Sequence, residues 1–137
     1  MAHWEITIAS NFSAIRNASD LLMEYCTQCH ISPELSGQLE LMMVEALNNV
    51  IEHAYQGKDG SEARVEIIDE PQQILINITD FGVSAPYELY SGNKSLPDEY
   101  FLPEGGWGLP LIQALADNIS YSSTKNSNLL TLTKSKN

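Results

Sequence analysis

Hydrophobic and polar positions follow two different periods along this chain. Five short segments alternate apolar and polar side chains, which predicts strands; they span residues 4–9, 64–69, 74–80, 119–122 and 129–133. Three longer segments repeat apolar residues at helical spacing, which predicts helices over residues 11–28, 34–55 and 107–117. This order predicts an α+β fold: a two-layer α/β sandwich whose mixed, mainly antiparallel sheet carries the helices on one face.

The stretch from residue 81 to residue 106 has no clear period and contains three prolines and four glycines. A loop this long in a compact domain indicates either a functional lid or a wrong assignment of elements. We find no internal repeat and no linker, so a single domain over residues 1–137 is expected.

Composition narrows the function classes. The formal net charge of −11 at pH 7 disfavours direct binding to nucleic acid, which needs clustered cations, and binding to anionic membranes. The first residues lack the basic and apolar regions of a signal peptide, and no apolar run is long enough to cross a membrane. A cytoplasmic location is therefore expected.

The two cysteines precede a histidine, in the order Cys26, Cys29, His30. This spacing is that of a covalent haem site, a redox pair or half a zinc site. Against a zinc site, no second pair of ligands is visible. Ile15 and Leu22 share a helical stripe with the cysteines, which favours simple burial in the core.

A polar stripe lies on the second predicted helix. Glu45, Asn49 and His53 follow one another at intervals of four residues, so they share one face of an ideal helix. The stripe is either the solvated face of an amphipathic helix or an oxygen-rich site for Mg²⁺ and a general base.

Two further motifs contain glycine. Asp80 ends a predicted strand two residues before Gly82; such a carboxylate can accept a hydrogen bond from an exocyclic amine, and the glycine permits a close approach of the backbone. Gly106 and Gly108 precede a predicted helix, where backbone N–H groups can meet an anion. Taken alone, the Asp80 motif is more typical of an ordinary turn, and glycines before a helix are weak evidence for an anion site.

In their order and spacing, the three motifs resemble the nucleotide-binding boxes of the GHKL (Bergerat-fold) ATPase superfamily, which includes gyrase, a heat-shock chaperone, histidine kinases and mismatch-repair ATPases. Within it, the segment from residue 44 to residue 55, VEALNNVIEHAY, resembles the anti-sigma factor serine-protein kinases. The resemblance covers nearly the whole chain and implies the histidine-kinase-like ATPase fold, with ATP and Mg²⁺ as cofactors.

The resemblance also implies roles for individual residues. Glu45 matches the general base, Asn49 the ligand of Mg²⁺, and Asp80 the residue that recognises adenine. The remaining nucleotide-contacting positions that it implies are His53, Gly82, Lys94, Gly106, Gly108 and Leu109. The segment from about residue 81 to residue 105 then becomes the ATP lid.

The implied activity is phosphorylation of a serine on a STAS-type anti-anti-sigma protein, with a sigma factor or another regulator as second partner and a homodimer as the assembly. The lid contains no arginine, and Glu104 stands where relatives often place one. An alternative is therefore a nucleotide-gated protein-binding module without kinase activity. A third hypothesis is a histidine-kinase catalytic domain separated from its dimerisation helices.

Overall fold

The computed structural model describes residues 2–85 and 109–136. The described elements are, in chain order, strand β1 (Ala2–Ala9), helices α1 (Phe12–Gln28) and α2 (Pro33–Asn49), a π-helix (Val50–Ala54), strands β2 (Glu62–Asp69) and β3 (Gln73–Asp80), helix α3 (Leu109–Leu115), and strands β4 (Asn118–Ser123) and β5 (Asn128–Ser135).

The five strands form one sheet in the order β1-β2-β3-β5-β4. Every pairing between these strands is antiparallel. The α+β sandwich with a mainly antiparallel sheet is thus confirmed. Strand β3 shows why alternating residues predicted a strand. It buries every second residue from Ile74 to Asp80 and leaves the others partly exposed.

Local hydrogen bonds explain where the two long helices begin. The Asn11 side chain accepts from the backbone N–H of Ala14 at 2.9 Å, which caps α1. The Ser32 hydroxyl accepts from the N–H of Leu35 at 3.2 Å, and Pro33 occupies the first turn of α2, where its missing donor costs nothing.

The core lies between the helices and one face of the sheet. Its largest fully buried side chains are Leu22, Leu39, Met42, Met43, Leu47, Ile51, Ile67, Ile74, Ile76, Ile78, Ile112 and Leu132. Cys26 belongs to this core, as its helical spacing indicated, whereas Cys29 is half-buried at the end of α1. Asn49, the last residue of α2, lies beside Ile78 and Asp80 of β3.

The second helix differs from its prediction. The sequence predicts one helix over residues 34–55, but the α-helix ends at Asn49 and a π-helix follows. The N–H of Tyr55 bonds to the carbonyl of Val50 at 2.9 Å, five residues earlier. Because a π-turn holds an extra residue, it rotates His53 away from the position that an ideal α-helix would give it relative to Asn49.

Candidate functional site

A pocket opens between the end of α2, the sheet and the segment that follows β3. Its lining residues are Ala46, Asn49, Val50, Ala54, Ile78, Asp80, Val83, Ala85, Tyr121 and Leu130. The structure therefore places Asn49 and Asp80, predicted from separate motifs, on the walls of one mainly apolar pocket.

Among the described residues that line the pocket, Asp80 is the one carboxylate, and it is 5% exposed. Its Oδ1 accepts from the backbone N–H of Gly82 at 2.9 Å and from the Asn128 amide at 2.7 Å. Within the described residues, Oδ2 accepts no hydrogen bond. Burial raises the pKa of the Asp80 carboxyl, and its two hydrogen bonds oppose part of that rise. Oδ2 is thus the oxygen that remains for a ligand.

Asn128 is a site residue that the sequence reasoning missed. It is 1% exposed, and its Nδ2 donates to Asp80 Oδ1 and, at 3.1 Å, to the carbonyl of Gly82. Its Oδ1 accepts from the hydroxyls of Ser84 at 3.0 Å and Ser123 at 2.7 Å. No local pattern distinguishes this asparagine from Asn126 in the preceding turn, because its role depends on strands that are distant in sequence.

The segment after β3 is held against the end of the π-helix. The N–H of Val83 donates to the carbonyl of Ala54 at 2.8 Å, and that of Phe81 donates to the Tyr55 hydroxyl at 2.9 Å. A Cβ atom on Gly82 would lie 2.3 Å from the Ala54 oxygen. The glycine predicted to admit a flat ring is therefore required for a close approach to the protein's own backbone.

The segment is pinned at its far end as well. The N–H of Ala85 donates to the Tyr121 hydroxyl at 2.8 Å, and both residues line the pocket. Together with the bonds to Tyr55, Ala54 and Asn128, this contact makes residues 81–85 a fixed wall. Tyr121 and Tyr55, like Asn128, were not singled out by the sequence reasoning.

The polar stripe of α2 is only partly assembled at the pocket. Asn49 is 2% exposed, which excludes a simple solvated face at this position. Glu45 lies one helical turn earlier and is half-buried, outside the pocket lining. His53 lies in the π-helix and is also half-buried outside the lining. The stripe thus contributes Asn49 to the wall and leaves Glu45 beside it.

The donor set fits a purine nucleotide with its cation. Apolar side chains such as Ile78 and Val83 suit the faces of a flat base, and Asp80 Oδ2 suits an exocyclic amine at its edge. The Asn49 amide is a neutral oxygen donor of the kind that Mg²⁺ accepts alongside phosphate oxygens and waters.

Several implied nucleotide contacts lie outside the described residues: Lys94, Gly106 and Gly108, and most of the expected lid over residues 81–105. Leu109 begins helix α3. The two arginines of the chain are both described. Arg16 is exposed on α1, and the Arg64 guanidinium lies 5.8 Å from the centre of the Phe81 ring. Neither arginine lines the pocket.

The comparison with known families agrees with this fold. The family model for the histidine kinase-like ATPase domain matches residues 8–134. This chain belongs to the histidine kinase-like ATPase family. The match extends from the end of β1 to the end of β5, so it includes every described element of the pocket.

Relatives within the family include serine-protein kinases. The chain is 29% identical over 98 residues to Serine-protein kinase RsbW of Listeria monocytogenes serotype 4a, a match that covers 64% of the chain and 59% of RsbW. RsbW of Listeria monocytogenes serovar 1/2a is 27% identical over 94 residues, with the same coverage. The chain thus spans about three fifths of the length of the curated relatives it matches.

Solved structures show the same fold at low identity. A chain of the SiaB–SiaC complex from Pseudomonas aeruginosa matches with a TM-score of 0.67 and 14% identity, covering 96% of this chain and 89% of that one. The Acinetobacter baumannii histidine kinase AdeS matches with a TM-score of 0.54 and 20% identity, covering 96% and 68%. The catalytic domain of histidine kinase ThkA, in a nucleotide-free form, gives 0.53 and 17% identity, covering 99% and 97%.

None of the described helices is long and apolar enough to cross a bilayer.

Proposed function

We propose that this protein binds ATP with Mg²⁺ in the pocket between Asn49 and Asp80 and phosphorylates a serine of a STAS-type partner, as an anti-sigma factor kinase in a partner-switching pathway. The observation that carries the proposal is the buried Asp80 carboxylate: protein donors saturate one oxygen, and no residue of the described part of the chain donates to the other. The RsbW relatives, named serine-protein kinases, support the reaction class. The SiaB–SiaC complex supports a family that works through protein partners.

The proposed roles follow from the chemistry of each side chain. Asp80 Oδ2 accepts a hydrogen bond from the adenine amine, and the Asn49 oxygen holds Mg²⁺. Glu45, one turn from Asn49, takes the proton of the serine hydroxyl while the serine oxygen forms its bond to the terminal phosphorus. The bond from that phosphorus to the bridging oxygen breaks, and ADP leaves. The bound Mg²⁺ supplies neutralisation of phosphate charge.

The remaining parts of the proposal rest on the family resemblance. The ATP lid spans about residues 81–105 within a single domain over residues 1–137, and its first residues, 81–85, are the anchored wall of the pocket. Further nucleotide contacts come from His53, Gly82, Lys94, Gly106, Gly108 and Leu109. A sigma factor or another regulator is the second partner, a homodimer is the assembly, and the cytoplasm is the location.

A second candidate function has one observation in its favour. Phosphoryl transfer gains much of its rate from cationic groups that stabilise the charge of the transferring phosphate. Neither Arg16 nor Arg64 lines the pocket. This favours a nucleotide-gated module that holds its partner without phosphorylating it.

Titration calorimetry with ATP, with and without Mg²⁺, tests the cation site. We expect Asn49→Ala to weaken Mg²⁺-dependent ATP binding by about tenfold or more, because the cation loses a protein oxygen. The matched control is Asn48→Ala, which truncates a half-buried neighbour outside the pocket lining and leaves binding unchanged. Equal losses in the two variants would contradict the assignment of Asn49.

Single-turnover transfer from labelled ATP to STAS-domain proteins of the source organism tests the base. Glu45→Gln is expected to retain ATP affinity and to slow transfer by about 10²–10⁴-fold, since the amide cannot take the serine proton. Glu52→Gln removes an exposed carboxylate from the neighbouring π-helix and leaves transfer at the parent rate. Tight ATP binding by the parent with no label on the partner would replace the kinase by the binding module, and acid-labile phosphohistidine would favour a histidine kinase.

A further inference from the structure

The Asn128 side chain has a complete set of hydrogen bonds, all to groups around Asp80. An amide side chain offers two donors and two acceptor positions, and all four are used here. Two of its partners, the carboxylate of Asp80 and the carbonyl of Gly82, act as acceptors. They therefore place the amide nitrogen towards β3, which leaves Oδ1 to the two serine hydroxyls.

The antiparallel register places these groups in one row across three strands. Asn128 pairs with Asp80 of β3 on one side and with Ser123 of β4 on the other. Ser84 closes the row from the segment after β3. A slip of one residue would turn Asn128 to the opposite face of the sheet, so the strand pairing itself defines the contact.

These contacts make the two carboxylate oxygens of Asp80 different in their hydrogen bonding. Oδ1 receives Asn128 Nδ2 and the N–H of Gly82, which occupy both of its acceptor positions. Oδ2 is then the carboxylate oxygen that can accept a hydrogen bond from a ligand, and the rotation of the carboxylate group sets the direction of that bond. Without the amide donor, the backbone bond from Gly82 would be the one bond left, within the described part of the chain, to hold that rotation.

We infer that Asn128 is a positioning residue that orients the Asp80 carboxylate. The pocket thereby selects a purine that carries an exocyclic amine over a purine that carries a carbonyl at the same ring position. The inference rests on the proposed function, because it assumes that the pocket holds the base of a nucleotide. Ser84 and Ser123 assist by fixing the orientation of the amide. A carbonyl oxygen on the base would face an acceptor and would be rejected.

Titration calorimetry with ATP and with inosine triphosphate, which carries a carbonyl in place of the amine, tests the inference. We expect the parent to prefer ATP. Asn128→Ala is expected to lower ATP affinity by about 10- to 100-fold, as for a lost hydrogen bond to a charged group, while inosine triphosphate affinity stays within about threefold. The matched control, Asn126→Ala, truncates an exposed asparagine of the adjacent turn and keeps the parent preference.

The outcomes separate this inference from the proposed function. Equal losses for both nucleotides, or an unchanged preference in Asn128→Ala, would overturn the positioning role alone. A parent that binds neither nucleotide would overturn the proposed function and this inference with it. Should Asn128→Ala not fold, the double variant Ser84→Ala/Ser123→Ala removes both hydroxyls that fix the amide at exposed positions. This double variant is expected to reduce the preference for ATP over inosine triphosphate severalfold. An unchanged preference would overturn the inference.

Discussion

Gly82 provides a direct test of how the segment after β3 is packed. Its φ angle lies outside the left-handed region, so an alanine there meets no left-handed backbone strain. The obstacle is steric: a Cβ atom would lie 2.3 Å from the Ala54 oxygen, 2.7 Å from the Ala54 carbonyl carbon and 2.9 Å from Tyr55 Cδ1. The first two atoms belong to backbone, which cannot rotate away.

The expected cost follows from the distances. Restoring an ordinary contact requires a shift of about 1 Å. A shift of that size would break the 2.8 Å bond from Val83 N–H to the Ala54 carbonyl and would stretch the bond from Asn128 to the Gly82 carbonyl. Overpacking costs about 1–3 kcal/mol and each lost bond about 1 kcal/mol, so Gly82→Ala should lower the free energy of unfolding by about 2–4 kcal/mol.

Thermal unfolding of the nucleotide-free protein measures this effect. At about 4 °C per kcal/mol for a domain of this size, Gly82→Ala should lower Tm by about 8–16 °C. Gly37→Ala is the matched control, because Gly37 lies inside α2 and an added Cβ has nothing within 4 Å. That substitution should raise the free energy of unfolding by about 0.5–1 kcal/mol, since alanine is the better helix former.

Two results would refute this reasoning. A Tm for Gly82→Ala within about 2 °C of the parent would show that the glycine does not pack against Ala54 as described. An unchanged Tm combined with a loss of ATP binding would show that Gly82 serves the approach of the ligand, as its sequence motif first suggested.

Two further predictions concern Tyr55 and Asp80. The Tyr55 hydroxyl accepts from the N–H of Phe81 at 2.9 Å and donates to the carbonyl of Glu62 at 2.5 Å, so Tyr55→Phe should lower the free energy of unfolding in urea by about 1–3 kcal/mol. A loss below about 0.5 kcal/mol for Tyr55→Phe would contradict the assigned bonds. Burial raises the pKa of the Asp80 carboxyl, so the folded state binds the carboxyl proton more tightly than the unfolded state does. The free energy of unfolding of the parent should therefore fall as the pH rises from about 4 through the folded pKa of this group. Asp80→Asn lacks this titration, so its free energy of unfolding in urea, relative to that of the parent, should increase between pH 4 and pH 7. A decrease of the variant's stability relative to the parent over this range would contradict the direction of the pKa shift.

Periodicity alone predicted most of the architecture. Strands such as β3 could be located because one face is buried and the other is partly exposed, so apolar and polar residues alternate along the sequence. The start of α1 could be located because Asn11 caps a helix through a contact only three residues away. The motifs around Asn49 and Asp80 were visible for the same reason, since each is a local pattern at the end of an element.

The meeting of those motifs in one pocket was decided by the tertiary structure. Asn128 contacts Asp80 across a separation of 48 residues, through the register of β3 against β5. The need for glycine at residue 82 arises from packing against Ala54 and Tyr55, which no sequence period connects to it. Secondary structure depends on neighbours along the chain, whereas the orientation of a buried carboxylate depends on donors that only the folded sheet brings within hydrogen-bonding distance.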